Sequence, residues 1–301
     1  METEKVDNDQ SQIGDRVSIA FEKNLNAHGH AYQNAITRKF KQMRGSETLW
    51  DIEGTEIPVT SGGINTHIDL VCSILYDYQG QDNRFFLVAE CKRADPATAI
   101  WCFAKVPITW GDHYGAYIQF DKFFKRPNEA AYNSGTGLAT TERPIMGLGM
   151  EVKTEKRGDG VGSSERSAIN SAVTQVLRGV SGYINYLSTG GRATRKLDLD
   201  HSHIVVPVIF TTAQIYITDA NIASADLATG ELPKGTVQTE KTDWIWYNYN
   251  RSFQLANDLS LTGDLKSNYS YYFREFTRTV AIVGPDGIDS FLRYNFKYAS
   301  F

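Results

Sequence analysis

The chain has 301 residues, of which 41% are hydrophobic and 22% are charged, and this globular composition excludes a disordered or fibrous protein. The 31 basic and 35 acidic residues give a formal net charge of −4, which argues against a protein that coats nucleic acid through bulk positive charge. No run of about eighteen apolar residues is present, and the start of the chain is acidic and polar, so we expect no membrane span and no secretory signal.

The length fits one large α/β domain with an insertion or two smaller domains, and we favour a single domain over residues 1–301. The three cysteines, Cys72, Cys91 and Cys102, are odd in number. Cys72 and Cys91 lie in apolar, strand-like runs, where a thiol behaves as a small hydrophobic side chain. We therefore expect a protein of the reducing cytoplasm.

Two helices are predicted within residues 16–43. Val17, Phe21 and Leu25 recur at helical spacing, and a second apolar series follows Gly29, which is typical of a helix end. The first part of the chain is therefore expected to be helical, with a break at the glycine.

Strands are predicted next. Glu56–Val59 is a short candidate, and Pro58 within it favours a sheet edge or a strand end. Two apolar arms follow at Ile68–Tyr76 and Arg84–Cys91. The polar loop 77–83 between the arms predicts a β-hairpin.

A short helix is expected from Ala97 to Ala104. Residues 105–162 then lose clear periodicity and gain Gly, Pro, Tyr and basic residues. We interpret this stretch as an insertion, which divides the core of the domain into residues 15–104 and 163–301.

The strongest helix pattern follows the insertion, as an apolar stripe over residues 169–187 with Ser163 and Ser164 as candidate N-caps. His203–Phe210 and Gln214–Thr218 then have the composition of strands. Strand, helix and strand in this order imply a crossover connection in a partly parallel sheet.

The last predicted elements are strands at Trp244–Tyr249 and Val280–Val283 and a short helix after residues 284–287. The aromatic run at Trp244–Tyr249 could stack nucleic-acid bases, but packing of a strand against the sheet is the favoured interpretation. The whole pattern predicts an α/β fold with a mixed central β-sheet flanked by helices.

Asp69 and Glu90 lie at matching depths in the predicted hairpin. If Gly80 marks the middle of the loop, Asp69 lies eleven residues before it (80 − 69) and Glu90 ten after it (90 − 80). Directly opposed residues of antiparallel strands have Cβ atoms about 4.5 to 5.5 Å apart, so the two carboxylates could face one another. Lys92 shares a face with Glu90 because side chains alternate along a strand.

Two carboxylates at that distance in an apolar sheet repel each other and are costly to desolvate, unless one is protonated or a cation lies between them. A divalent metal resolves the conflict. Oxygen ligands without a nearby cysteine pair favour Mg²⁺ or Mn²⁺ over Zn²⁺.

The alternative is a structural ion pair between Glu90 and Lys92, with Asp69 marking only the start of the neighbouring strand. An acid two residues before a lysine also occurs at Glu151–Lys153 and at Asp264–Lys266. Of these two, Glu151 is the backup site, because the apolar residues before it could form a strand.

The segment Ile68-Asp69, followed by Val88-Ala-Glu-Cys-Lys92, resembles the PD-(D/E)xK nuclease superfamily, which has the restriction-endonuclease-like fold. The resemblance covers most of the chain in element order. It departs from the family pattern at Ile68, which stands where the name-giving proline would be, and in the long insertion after the catalytic strand.

The resemblance implies that Asp69 and Glu90 bind Mg²⁺, with Mn²⁺ as a substitute, and that Cys91 adds its backbone carbonyl to the metal ligands. It also implies that Lys92 assists the attacking water.

Two supporting residues are carried over from the resemblance. Glu22 matches the family's helical acid, although it could equally be a solvated residue beside Lys23. Gln175 resembles the glutamine on the helix after the catalytic strand in recombination-type members; otherwise it is a polar residue at a helix margin.

The function implied by the resemblance is hydrolysis of phosphodiester bonds in DNA, in the manner of prokaryotic restriction or phage-defence effectors. The chain has no phosphate-binding Gly-rich loop, so we expect no ATP hydrolysis within it. An ATPase, helicase or sensor protein could be a partner, and so could a second copy of the chain. A non-catalytic nucleic-acid or protein binding module of the same fold and an RNA-cleaving nuclease are the alternatives.

Other groups of residues have a weaker functional signal. The pairs His28/His30 and His201/His203 could bind zinc, but no cysteine pair accompanies them. Residues 110–114 and 122–126 together mix aromatic and basic side chains, which could contact nucleic acid or serve only packing. The basic turn at 192–196 could bind phosphates or only cap the preceding helix.

Overall fold

The computed structural model describes residues 16–25, 29–43, 50–78, 81–94, 99–105, 118–120, 145–152, 167–188, 203–249, 253–259 and 279–299. Helix α1 covers residues 16–25 and α2 covers His30–Met43. Gly29 has a φ of 76°, so the predicted helix break at this residue is confirmed. Within these ranges, no helix combines the length and apolarity that a bilayer crossing requires.

The remaining elements follow in chain order. They are β1 (Asp51–Ser61), β2 (Ile64–Tyr78), β3 (Gln81–Lys92), β4 (Ile100–Ala104), β5 (Ile118–Phe120), β6 (Ile145–Met146), β7 (Leu148–Val152), α3 (Ala168–Ser188), β8 (His203–Thr211), β9 (Gln214–Thr218), a 3-10 turn (Ile222–Ser224), β10 (Thr239–Thr242), β11 (Trp244–Asn248), α4 (Phe253–Asp258), β12 (Thr279–Val283), a second 3-10 turn (Pro285–Gly287) and α5 (Ile288–Ala299).

The larger of two sheets is mixed, with the strand order β1-β2-β3-β8-β12-β11-β6 and with β5 paired to β8. Strands β2 and β3 form the predicted antiparallel hairpin. Strand β8 runs parallel to β3 from Arg84↔His203 to Lys92↔Thr211, so the predicted crossover is confirmed. Strand β1, which contains Pro58, lies at the edge of the order, as the proline predicts.

Helices cover both faces of the larger sheet. On one face, α3 packs through Val173, Leu177 and Val180 in a large apolar cluster. On the other face, α2 and α5 pack in a second cluster through Phe40 and Phe291. Helix on sheet on helix is a stable way to bury both faces of a mixed sheet, because each face is apolar.

The smaller sheet has the order β10-β9-β4-β7. Its residues Trp101, Phe103 and Ile215 belong to the same apolar cluster as α3. The ring of Phe103 also lies 5.2 Å from that of Tyr247 on β11. The two sheets therefore share one core.

The predicted helix from Ala97 to Ala104 is wrong in its described part, because Ile100–Ala104 forms strand β4. This strand pairs with β7 on one side and β9 on the other, and Trp101 and Phe103 are fully buried. A short apolar run has no decisive period, and its β-branched and aromatic residues favour a strand once neighbours are present.

Part of the predicted insertion is built into the sheets. Strands β5 and β6 join the larger sheet and β7 joins the smaller one, whereas residues 106–117, 121–144 and 153–166 lie outside the described residues. Strands of two to five residues are too short for a periodicity to be recognised in the sequence.

The N-terminus of α3 has two capping side chains. Ser167 Oγ accepts a hydrogen bond of 3.0 Å from the backbone N–H of Asn170, and Glu151 Oε1 accepts one of 3.2 Å from that of Ile169. Glu151, the backup acid, thus stabilises a helix end. The predicted caps Ser163 and Ser164 lie outside the described residues.

The aromatic strand β11 is buried. Trp244 and Trp246 are 1% and 0% exposed, and both rings contact Phe291 of α5. The packing interpretation of this run is therefore confirmed, and these two indoles are not accessible to nucleic-acid bases.

Two glycines of α3 provide a stability test. A Cβ at Gly182 would lie 2.7 Å from Val59 Cβ, whereas one at Gly179 would lie 3.1 Å from the more adaptable Ile68 Cγ1. We expect Gly182→Ala to lower the free energy of unfolding by about 1 to 3 kcal/mol through overpacking. For Gly179→Ala, the gain in helix propensity of about 1 kcal/mol should offset most of the crowding. Urea denaturation measures both, and equal effects would contradict the close approach at Gly182.

Candidate active site

The β2–β3 register brings Asp69 and Glu90 to opposing positions. The last regular pair is Leu70↔Ala89, and one further step along both strands reaches the two acids. Asp69 Oδ2 also accepts a hydrogen bond of 2.7 Å from the backbone N–H of Cys91. The two carboxyl groups therefore lie near each other at the end of the hairpin, and the charge of Asp69 raises the pKa of Glu90.

The backbone around Asp69 is irregular. Ile68 packs in the cluster beneath α3, whereas Leu70 packs in the cluster beneath α2 and α5. Residues two apart on a regular strand share a face, so the alternation shifts at Asp69.

The irregularity extends to strand β1. Glu56 lies between the pairs Thr55↔Leu70 and Ile57↔Ile68, which places it opposite Asp69. Its φ of 51° is the only positive value at a non-glycine position among the described residues. Strain of this kind often accompanies functional sites.

Helix α2 fixes the Asp69 backbone from one face of the sheet. Gln33 Nε2 donates a 2.7 Å hydrogen bond to the Asp69 carbonyl, and Gln33 itself is buried. Gln33 is not among the residues that the sequence pattern indicates for the site. The available signal was a glutamine on the stripe of α2 that also contains Ile36 and Phe40.

Lys92 lies between Glu90 and helix α3. Its Nζ donates to Glu90 Oε1 at 3.2 Å and to Gln175 Oε1 at 2.6 Å. The structure thus brings Lys92, Glu90 and Gln175 together from one strand and one helix. The Glu90–Lys92 ion pair of the structural alternative is also present.

Burial governs the protonation of both acids. Glu90 is 5% exposed, and desolvation, with the charge of Asp69 as the next contribution, raises its pKa to about 7 despite the nearby Lys92. Desolvation also raises the pKa of Asp69, although the hydrogen bond from Cys91 opposes the shift. The pair therefore favours sharing a proton or a cation over carrying two charges.

The third acid beside this pair is Glu56. Its charge raises the pKa values of both Asp69 and Glu90, and its Oε1 lies 3.8 Å from His30 Nδ1. Sequence analysis assigned Glu56 only to a strand. The register of β1 against β2 would have identified it, but a single short strand does not specify its register.

Glu22 is placed differently from the other predicted site residues. It lies on α1, where every residue is exposed, and it is not among the described charged groups that shift the pKa values of Asp69 and Glu90. No contact between Glu22 and the pair is described, and its assignment to the site stays a prediction.

The donor atoms at this site suit a hard divalent cation. In the described part of the chain, no group of three or more His, Cys, Asp and Glu side chains could hold a metal ion. Mg²⁺, however, is commonly bound through only one or two carboxylates together with water and substrate oxygens. Asp69 and Glu90 fit that role, and the buried Cys91 thiol, whose pKa is raised by desolvation, leaves only its backbone carbonyl as a donor.

Several weaker candidates lie outside the described residues: His28, His201, residues 110–114, residues 122–126, Arg192, Arg195, Lys196 and Asp264–Lys266. Nothing in the described structure bears on the zinc or nucleic-acid contacts predicted for them. His30, from the first histidine pair, lies beside Glu56.

Comparison with known proteins gives no relative for this chain. No family model, no curated protein and no solved structure matches it. The functional argument therefore depends on the geometry of the site.

The raised pKa of Glu90 predicts that stability falls as pH rises. The carboxyl loses its proton near pH 4.5 in the unfolded chain but near pH 7 in the folded one, so the folded state binds more protons between these values. In EDTA we expect the free energy of unfolding to fall by roughly 2 to 4 kcal/mol over this interval. Glu90→Gln should remove most of that slope, as measured by urea denaturation across pH.

The matched control is Glu231→Gln, because Glu231 lies exposed in a loop. This substitution should leave the slope unchanged. The contrary result is a free energy of unfolding that rises from pH 5 to pH 7 more steeply in the wild type than in Glu90→Gln. That result would contradict the burial of the pair.

The positive φ of Glu56 predicts an unusual order of stabilities. Glycine adopts this conformation without the steric cost of a Cβ. We therefore expect the free energy of unfolding of Glu56→Gly to be about 1 kcal/mol higher than that of Glu56→Ala. Both variants lose the same charge, and their difference therefore isolates the backbone. At the neighbouring Thr55, with no positive φ, alanine should instead be the more stable of the two. Thermal or urea unfolding of the four variants tests this reversal.

Proposed function

We propose that this protein is a Mg²⁺-dependent nuclease that hydrolyses phosphodiester bonds in DNA. The observation that carries the proposal is the pairing of Asp69 and Glu90 at the end of the β2–β3 hairpin, with the Lys92 ammonium bound to Glu90 and Gln175. The restriction-endonuclease-like fold is part of the proposal, and the mixed sheet between helical layers supports it.

Asp69 and Glu90 would hold the cation. Bound Mg²⁺, or Mn²⁺ in its place, would supply a Lewis acid to polarise a phosphoryl oxygen and to lower the pKa of a bound water. The Asp69 carboxylate is held by the Cys91 N–H, and the Asp69 backbone by the amide of Gln33. The Glu90 carboxylate accepts a hydrogen bond from the Lys92 ammonium. The metal cation would also relieve the mutual repulsion of the two carboxylates.

Lys92 is the cationic group next to the acids. Its ammonium would orient the attacking water or stabilise the negative charge that develops on the phosphate in the transition state. Gln175 acts on Lys92 as a positioning residue, because its Oε1 accepts from the ammonium at 2.6 Å. The Lys92 side chain is three-quarters buried, so water competes little with Gln175 for the ammonium.

One observation favours a second candidate, a non-catalytic binding module of the same fold. The Lys92 ammonium already neutralises part of the Glu90 charge at 3.2 Å, which a structural ion pair would also do. Three further proposals rest on the resemblance to the nuclease superfamily rather than on the geometry of the site. They are a role in defence against foreign DNA, a partner that is an ATPase, helicase or sensor protein, and self-association.

A cleavage assay separates the candidates. The full chain is incubated with supercoiled plasmid, linear duplex, single-stranded DNA and RNA, each with Mg²⁺ or with EDTA. We expect Mg²⁺-dependent cleavage of DNA that Asp69→Asn and Glu90→Gln abolish. Cleavage of RNA alone would favour the ribonuclease, metal-independent cleavage would reject the proposed chemistry, and binding without cleavage would favour the module.

Lys92 and Gln175 predict a coupled loss of activity. Lys92→Ala should reduce kcat by about 10²- to 10³-fold, in the range typical for loss of one transition-state donor, and Gln175→Ala by about tenfold. Because Gln175 acts through Lys92, the double variant should be no slower than Lys92→Ala alone. Single-turnover kinetics at saturating substrate measures all three.

Asn170→Ala is the matched control, since Asn170 is an exposed polar residue on the same helix and should leave kcat unchanged. Additive losses for Lys92→Ala and Gln175→Ala would show that Gln175 does not act through Lys92. Equal losses for Gln175→Ala and Asn170→Ala would assign the effect to the helix in general.

A further inference from the structure

A concave surface lies beside the start of strand β2, a few residues before Asp69. It is a pocket of about 680 Å³ between the turn of the β1–β2 hairpin and the C-terminal half of α3. This volume lies within the range of pockets that bind small organic ligands. The proposed chemistry of Asp69, Glu90 and Lys92 uses none of its lining residues.

Three glycines line the pocket. Gly182 has no Cβ, which allows α3 to approach Val59 of β1. Gly62 and Gly63 form the turn of the hairpin, both with positive φ. The turn of the helix after Gly182 then brings Asn185 and Tyr186 into the pocket wall.

The lining chemistry indicates a neutral, flat ligand. No Asp, Glu, Lys or Arg is among the lining residues, whose polar members include Asn65, His67, Asn185 and Tyr186. Asn65 Oδ1 already accepts a hydrogen bond of 2.8 Å from Thr60 Oγ1. A phosphate would lack a cationic partner here. A nucleobase, by contrast, is uncharged, stacks on aromatic rings and binds amides along its edge.

Tyr186 is the aromatic part of the wall. Its ring stacks on that of Tyr183, with centroids 6.0 Å apart and planes 22° apart. Tyr183 is itself buried, so the contact holds the Tyr186 ring in one orientation. A fixed ring loses little entropy when a ligand stacks on it.

Two elements connect this pocket to the acidic pair. On β2, His67 lies two residues before Asp69, a separation of about 7 Å along a strand. On α3, Tyr186 lies eleven residues after Gln175 (186 − 175) on the same stripe, about 16 Å along the helix. A base in the pocket and a phosphodiester at Asp69 and Glu90 could therefore belong to one strand, a few nucleotides apart.

We propose that this pocket receives an unpaired nucleobase of the strand that the site cleaves. The inference depends on the proposed nuclease function and names its substrate class. A base in a duplex is stacked and paired, and it can enter a side pocket only after extrusion from the helix. The substrate is therefore single-stranded or locally unpaired nucleic acid.

The test measures binding without cleavage. The full chain in EDTA is titrated against a short labelled single strand, the same sequence as a duplex, and the same single strand with abasic sites in place of its bases. Wild type should bind the intact single strand most tightly. Tyr186→Ala should weaken that binding by about 5- to 100-fold, as expected for loss of one base–aromatic stack, and Tyr186→Phe should retain it.

Tyr216→Ala is the matched control, because Tyr216 is a partly exposed tyrosine on β9, outside the pocket. It should bind as wild type does. Abasic sites should weaken wild-type binding but have little further effect on Tyr186→Ala, because both changes remove the same contact. Thermal melting of each variant establishes that it is folded.

The outcomes distinguish the two proposals. Two results would reject the proposed base pocket: equal wild-type affinity for intact and abasic strands, or equal effects of Tyr186→Ala and Tyr216→Ala on binding. If cleavage still depended on Glu90, the nuclease proposal would stand. Base-dependent binding through Tyr186 without cleavage of any substrate in Mg²⁺ would support the pocket and reject the nuclease. Cleavage with a KM that rises in Tyr186→Ala, at little-changed kcat, would support both.

Discussion

Two carboxyl groups, Asp69 and Glu90, are desolvated near each other where the β2–β3 hairpin meets the parallel strand β8. The burial is costly, and it raises the pKa values of both groups. The Cys91 N–H binds one carboxylate and the Lys92 ammonium binds the other. Each contact offsets part of the charge and leaves the pair suited to share a proton or a divalent cation.

The layered fold holds this arrangement from both faces of the sheet. Helix α2 contributes Gln33 to the Asp69 carbonyl, and α3 contributes Gln175 to Lys92. These amides lie on opposite sides of strands that are buried in apolar clusters. The site is therefore built on rigid elements, which is what precise placement of charged groups requires.

The β1–β2 hairpin links the site to the pocket. Near the middle of β1, Glu56 is held with positive φ opposite Asp69. After the end of β1, Gly62 and Gly63 form the turn beside the pocket wall. Because β1 is an edge strand, its irregularity disturbs only one neighbour. The backbone at Asp69 can thus be distorted without loss of the β3–β8 pairing in the centre of the sheet.

The sequence by itself determined the hairpin with opposed acids, the apolar stripe of α3 that places Gln175, and the crossover to β8. These features follow from local periodicity and loop length, which the residues carry directly. Only the tertiary structure decided that Ile100–Ala104 is a strand, that Gln33 binds the Asp69 backbone, and that Glu56 lies beside the acids. Strand register, the partners of a buried amide and the choice between helix and strand for a short apolar run depend on residues distant in sequence, so no local pattern contains them.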